Sequence, residues 1–148
     1  MVEYAGWNLP VEYSGLKEEH EAVRERAGIF DVSHMGEIWV TGKEAEKFVS
    51  FMMTNDIMRQ KDNQVQYTFM CEPNGFVVDD LLVYRYNNEK YYLVVNAANV
   101  DKDFKWILEE SKKFDVEVKN VSDETGQVAV QGPKAEEVVQ KLTDEDLS

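Results

Sequence analysis

Two adjacent aspartates, Asp79 and Asp80, interrupt an otherwise apolar run that follows a Pro73-Asn74-Gly75 turn. Successive side chains of a β-strand point to opposite faces, so a strand here would send the two carboxylates to opposite sides. One face would carry Phe76, Val78, Asp80, Leu82 and Tyr84, and the other Val77, Asp79, Leu81 and Val83. Apolar residues on both faces are typical of a central strand that is covered on both sides. The segment therefore predicts the interior of a sheet.

A carboxylate among hydrophobic side chains is costly unless it finds a partner or its pKa rises. Folds that keep such a group often use it for chemistry or ligand binding. A structural interpretation is also available, in which a β-bulge turns one aspartate to solvent while the other caps a local backbone amide. The pattern by itself leaves both interpretations open.

Length and charge narrow the class of protein. The chain has 148 residues, enough for one ordinary domain with a sizeable core. Its formal net charge is -13, and its Lys and Arg are interleaved with Asp and Glu, which argues against a nucleic-acid partner. No apolar run approaches the length of a membrane span and no signal peptide is visible, so we expect no membrane partner.

Cysteine and histidine are too sparse for a metal site or a disulfide framework. Cys71 is the single cysteine and cannot form an internal disulfide, which is typical of an intracellular protein. His20 and His34 are not spaced as zinc ligands, so we expect no metal.

Hydrophobic periodicity gives the order of the elements. We expect residues 1–13 to be extended, residues 14–27 to form a helix that Gly28 stops, and residues 29–35 to be irregular. Strand patterns follow at 37–41, 65–70, 76–84, 91–95, 116–121 and 127–130, with helical spacing after Gly42, Asn99 and Gly132. The three middle strands form a meander and should pair antiparallel. These features predict an α+β fold with the helices packed on one face of the sheet.

The helix after Asn99 has the clearest pattern in the chain, and Asn99 is placed to be its N-cap. Its inward face should consist of Val100, Phe104, Ile107, Leu108 and Ser111. Asn96, at the end of the preceding strand, could instead present its amide to a ligand. His34 lies in a short loop rich in polar groups, where a structural role for the histidine is favoured over ligand binding.

Several motifs, taken in order, resemble one known family. They are Ala5-Gly6-Trp7 with Pro10, the segment FDVSHMGE at 30–37, Thr54-Asn55-Asp56, Tyr67, the segment at 75–80, VVNAAN at 94–99 and Gln131-Gly132-Pro133. Together they resemble the aminomethyltransferase (T-protein) of the glycine cleavage system over essentially the whole chain. Two departures are that Phe76 follows Gly75 where the family usually has a second glycine, and that the family's chains are much longer. The resemblance therefore implies an N-terminal fragment.

The resemblance also implies a domain arrangement and a reaction. Residues 1–35 would be the start of a truncated first domain, and residues 36–148 a ferredoxin-like second domain, an antiparallel sheet with helices on one face, with its exit helix. A lipoyl-bearing carrier, the H-protein, would present an aminomethyl group to tetrahydrofolate, with release of ammonia and formation of methylenetetrahydrofolate. Asp80 matches the family's catalytic carboxylate, and Asp79 would be structural. The wall of the folate site would comprise Met35, Tyr67, Leu82, Tyr84 and Asn96.

Two other functions fit the same residues. The chain could belong to a non-enzymatic folate-binding module of the same superfamily, or it could be a structural α+β domain with an incomplete pocket. If the resemblance holds, we expect a cytoplasmic protein, or one of the mitochondrial matrix in a eukaryote. We also expect little catalysis by this segment alone, because only one wall of the site would be present.

Overall fold

The computed structural model describes all 148 residues. The strands are β1 Val2–Tyr4, β2 Trp7–Leu9, β3 Gly28–Asp31, β4 Gly36–Thr41, β5 Val65–Cys71, β6 Val77–Asn87, β7 Lys90–Val95, β8 Glu117–Asn120 and β9 Val128–Gln131. The helices are α1 Leu16–Glu25, α2 Ala45–Met52, α3 Val100–Ser111 and α4 Ala135–Val139. Short 3₁₀ turns lie at Ile57–Arg59, Ala97–Asn99, Ser122–Glu124 and Gln140–Leu142. None of the helices is both long and apolar enough to cross a bilayer.

The chain divides into two compact units, one of residues Met1–His34 with Gly126–Ser148 and one of residues Met35–Thr125. The sequence-based division into residues 1–35 and residues 36–148 stays a prediction. The compact units of the structure differ from it, because residues 126–148 belong to the first unit. The reason is that β9 pairs antiparallel with β3, from Gly28 opposite Gln131 to Asp31 opposite Val128.

The first unit contains the β1–β2 hairpin, α1, the β3–β9 pair and α4, and none of its residues is buried. The hairpin turns at Ala5 and Gly6, which both have positive φ angles. The prediction that residues 29–35 are irregular was wrong, because β3 occupies Gly28–Asp31. Its partner β9 lies about a hundred residues away, so a local pattern gave no sign of the pairing.

The second unit is a five-stranded sheet in the order β5-β6-β7-β4-β8, with every neighbouring pair antiparallel. The predicted β5–β6–β7 meander is therefore confirmed. The turn into β6 is closed by Gly75, which has a φ of 88° and donates its backbone N–H to the carbonyl of Glu72. An L side chain is disfavoured at that angle, so glycine suits the position.

Burial alternates along the strands and gives the sheet two different faces. The core face carries Ile38, Val40, Leu81, Val83, Leu93 and Val95, which pack in one cluster with Phe48, Val49 and Met52 of α2 and Ile107 of α3. Both helices thus cover the same face, as the sequence predicted. The opposite face carries Tyr67, Asp80, Leu82 and Tyr84, all of them partly or largely exposed. A ferredoxin-like topology stays a proposal.

Candidate functional site

The two adjacent aspartates occupy opposite faces of β6. Asp79 is 5% exposed and lies on the core face with Leu81 and Val83, whereas Asp80 is half-buried on the opposite face. A bulge is present, but it lies one residue before the pair, because Met70 is opposite Asp79 while Cys71 is opposite Val77. The bulge therefore does not turn either aspartate out of the alternating pattern.

Asp80 is held by two polar side chains, Tyr67 of strand β5 and Asn96, which directly follows strand β7. The Tyr67 hydroxyl donates a hydrogen bond of 2.8 Å to Asp80 Oδ2. Asn96 Nδ2 donates to the Asp80 backbone carbonyl at 2.8 Å and lies 3.4 Å from Asp80 Oδ1. The hydrogen bond to Asp80, with smaller contributions from burial and from the carboxylate charges, raises the pKa of Tyr67 above its ordinary value. Tyr67 is thus a hydroxyl donor toward Asp80 at neutral pH.

Leu82 and Tyr84, which were also predicted for the folate wall, lie on the face of the sheet that carries Asp80 and Tyr67. Leu82 is opposite Tyr67 of strand β5 on one side and opposite Val94 of strand β7 on the other. Tyr84 is opposite Tyr92, and the two rings meet edge to face with centroids 6.2 Å apart. The structure thus brings Asp80, Tyr67, Leu82 and Tyr84 onto one surface.

Met35 and Asn96 lie at the same end of the sheet as each other. Gly36 is opposite Val95 in the β4–β7 ladder, so Met35 and Asn96 are the next residues beyond that pair. Phe69 belongs to this region as well, because it is opposite Asp80 and its ring lies edge-on to Tyr67 at 5.6 Å. Sequence reasoning did not select Phe69, although its two-residue spacing from Tyr67 was a usable signal.

Asp79 is the centre of a hydrogen-bond network on the core side. Asn96 donates its backbone N–H to Asp79 Oδ2 at 3.2 Å and its side-chain amide to Asp79 Oδ1 at 3.0 Å. Asn99 Nδ2 also donates to Oδ1, at 2.9 Å. Burial acts to raise the pKa of Asp79, but hydrogen bonds from Asp103, Asn96 and Asn99 outweigh it, so the pKa lies below its ordinary value.

This network corrects the role predicted for Asn99. The residue precedes α3, as an N-cap would, but its side chain makes no capping hydrogen bond. Its amide is used on Asp79 instead. A buried carboxylate gains more from a donor than the exposed first turn of a helix does, which accounts for the difference.

A third buried carboxyl, Glu37, lies on β4 opposite Val94. It is 0% exposed, and neither carboxylate oxygen has a hydrogen-bond donor. Burial raises its pKa to about 7. Only its backbone is engaged, since its N–H donates to Ser122 Oγ and its carbonyl accepts from Val121.

No group of three or more His, Cys, Asp or Glu side chains lies together as metal ligands would. A groove of about 460 Å³ is lined by Glu72, Val77, Val78, Lys102, Lys105, Trp106 and Glu109. It includes neither Asp80 nor any residue predicted for the folate wall. The groove and the Asp80 surface are therefore separate features.

The whole chain is similar to known proteins of one family. Residues 1–148 match the GCVT N-terminal domain. An aminomethyltransferase of Alkaliphilus oremlandii is 63% identical over 148 residues, which is 100% of this chain and 40% of that protein. An aminomethyltransferase of a Thermoanaerobacter species is 58% identical with the same coverage. The chain thus spans 40% of the length of these relatives.

A solved structure agrees in fold. The glycine cleavage system aminomethyltransferase T from Bartonella henselae superposes with a TM-score of 0.88 at 32% identity. The superposition covers 95% of this chain and 38% of that one. This similarity supports the antiparallel sheet with its helices as the fold of the chain.

Proposed function

The chain belongs to the GCVT N-terminal domain family, and we propose that it supplies the catalytic carboxylate and one wall of the folate site of a tetrahydrofolate-dependent aminomethyltransferase. The observation that carries the proposal is the Asp80 carboxyl, half-buried and held by Tyr67 and Asn96 on an aromatic and apolar face of the sheet. The family's activity belongs to longer proteins, so the reaction is proposed for the full-length enzyme containing this chain.

The residues on this face suit a flat heteroaromatic ligand. Tyr67, Phe69 and Tyr84 offer aromatic surface, and Leu82 offers apolar surface between them. Aromatic side chains bind flat rings through stacked and edge contacts. Tyr67 is 54% exposed and Phe69 is 42% exposed, so much of this aromatic surface is accessible to a ligand. Met35 and Asn96 would close one end of it.

Asp80 would act as the group that holds or moves a proton. Tetrahydrofolate, when bound, supplies the nitrogen that accepts the one-carbon unit, while ammonia is released from the aminomethyl group of a lipoyl-bearing H-protein. A carboxylate beside that nitrogen can take its proton and stabilise positive charge. Tyr67 and Asn96 would fix the direction in which Asp80 points. We also propose a cytoplasmic enzyme, with the remainder of the folate site on parts of the protein outside this chain.

The two aspartates supply a matched pair of variants for the test. Asp80→Asn keeps the shape of the side chain and removes its charge, so turnover of the full-length enzyme should fall by about two to four orders of magnitude. The folded state should change little, because Asp80 is half-buried and its Tyr67 partner is exposed.

Asp79→Asn should lower the stability of the protein and have a much smaller effect on turnover than Asp80→Asn. It disturbs a buried hydrogen-bond network, so the free energy of unfolding should fall by roughly 1–3 kcal/mol. Turnover per folded molecule should fall by no more than about tenfold. The assays are folate-dependent ammonia release and the thermal midpoint. An inactive but stable Asp79→Asn enzyme with a fully active Asp80→Asn enzyme would reverse the assignment and refute the proposal.

A further inference from the structure

Asp103 is a buried acid that the proposed reaction does not use directly. It lies on α3, is 0% exposed, and no donor hydrogen-bonds to either of its carboxylate oxygens. An ionised carboxyl in that position would be strongly destabilised, since it has lost water without gaining hydrogen bonds. A protonated carboxyl removes the problem, because its O–H can donate to a neighbouring acceptor.

The neighbouring acceptor is Asp79. Lys102 Nζ lies 3.4 Å from Asp103 Oδ1 and also hydrogen-bonds to the carbonyl of Val78, the residue before Asp79, so the two acids are neighbours. The Asp79 carboxylate already accepts from the Asn96 backbone, the Asn96 side chain and the Asn99 side chain. All three of those donors stay protonated across the physiological range. Asp79 therefore has the partners of a carboxylate, and Asp103 has the surroundings of a carboxylic acid.

We infer that Asp103 is a positioning residue, whose protonated carboxyl donates a hydrogen bond to Asp79 so that the Asp79 carboxylate can hold the Asn96 amide against the catalytic Asp80. The inference rests on the proposed function for its link to activity. The chain of contacts is continuous: Asp103 to Asp79, Asp79 to Asn96 Nδ2 at 3.0 Å, and Asn96 Nδ2 to the Asp80 carbonyl at 2.8 Å. A helix on the core side is thereby connected to a carboxylate on the opposite face.

The charges around Asp103 agree with this arrangement. Burial, followed by the hydrogen bond to Asp79 and the negative charge of Asp79, raises the pKa of Asp103 to about 8. Lys102 on the same helix is the one cation acting on it, with Nζ 3.4 Å from Asp103 Oδ1, but its side chain is 52% exposed and is hydrogen-bonded to the Val78 carbonyl. When the pH rises above 8, the proton is lost and two buried carboxylates face each other. Their repulsion would shift Asp79 away from Asp103 and disturb its hydrogen bonds with Asn96.

Substitutions of Asp103 show whether its side chain acts as a hydrogen-bond donor or only fills space in the core. Asp103→Asn keeps an N–H donor toward Asp79 and cannot ionise, so the full-length enzyme should keep its turnover at pH 7 within about threefold. Asp103→Ala removes the donor, and kcat should fall by about tenfold with KM for tetrahydrofolate within about twofold, because Asn96 is the one residue of the proposed folate wall that the change affects. Asp101→Asn, an exposed position on the same helix, is the control and should behave as the unsubstituted enzyme.

The decisive measurement is the pH profile of kcat together with the NMR titration of ¹³C-labelled aspartate carboxyls in the same proteins. We expect the unsubstituted enzyme to lose activity with an apparent pKa of about 8, one aspartate to titrate in that range, and both features to vanish in Asp103→Asn. The inference is overturned if the alkaline loss of activity persists in Asp103→Asn, or if no aspartate titrates there. It is equally overturned if that signal persists in Asp103→Asn and disappears in Asp79→Asn.

The carboxyl titration distinguishes failure of this inference from failure of the proposed function. If Asp80→Asn keeps full turnover, the proposed function fails while the titration of Asp103 stands. Should Asp103→Ala not fold, the Asn variant and the titration still decide the question.

Discussion

The carboxyl of Glu37 should make the stability of the protein depend on pH in a way that a single substitution removes. Glu37 is 0% exposed and has no hydrogen-bond donor, and burial raises its pKa from 4.5 to about 7. Between those pH values the folded protein holds a proton that the unfolded chain has released. Stability from this group is therefore fully present below pH 4.5 and is lost as the pH rises through 7.

The magnitude follows from the size of the shift. Each pKa unit corresponds to about 1.4 kcal/mol, so a shift of this size corresponds to about 3 kcal/mol between pH 4.5 and pH 7. Glu37→Gln titrates in neither state. The free energy of unfolding of the unsubstituted protein, minus that of Glu37→Gln, should thus fall by about 3 kcal/mol as the pH is raised across this window.

Urea unfolding at several pH values measures this difference directly. Contributions from Asp103 and the other acids are common to both proteins and cancel in the subtraction. Glu117→Gln, at an exposed position on the adjacent strand β8, is the matched control and should leave the pH dependence unchanged. A difference that stays flat from pH 4.5 to 7 would show that Glu37 is ionised in the folded protein and would refute the reasoning.

Three further predictions concern the site and its support. Tyr67→Phe removes the 2.8 Å hydrogen bond to Asp80, so turnover of the full-length enzyme should fall by about tenfold, with the thermal midpoint unchanged because Tyr67 is exposed. An unaltered turnover would exclude Tyr67 as the residue that orients Asp80. Gly36→Ala would place a Cβ 2.5 Å from Val100 Cγ2, so the free energy of unfolding measured by chemical denaturation should fall by about 1–3 kcal/mol. An unchanged free energy of unfolding would mean that α3, which begins at Val100, can move to make room. The 148-residue chain assayed alone should show little or no folate-dependent ammonia release, because it carries only one wall of the proposed site. Turnover like that of the full-length enzyme would contradict this.

Local periodicity in the sequence determined much of the second unit. The two-residue alternation placed Asp79 with Leu81 and Val83 and placed Asp80 with Leu82, because a strand's faces are set by the pleat alone. The closely spaced turn at Gly75 likewise predicted the antiparallel meander. Tyr67 was selected through the family resemblance, whereas its place on the same face as Asp80 follows from its pairing with Leu82.

Only the tertiary structure decided the features that depend on partners far apart in the chain. Strand β3 forms because β9 pairs with it, and no pattern within residues 29–35 encodes that partner. Periodicity placed Leu108 on the inward face of α3, yet Leu108 is 42% exposed while Asp103 is fully buried. In the arrangement inferred above, an acid can occupy this inward position because Asp79, on a strand of the facing sheet, accepts its hydrogen bond. Periodicity reports the pattern of hydrophobic residues along a single helix or strand. A buried polar group is instead stabilised by hydrogen-bond partners that folding brings from other helices and strands.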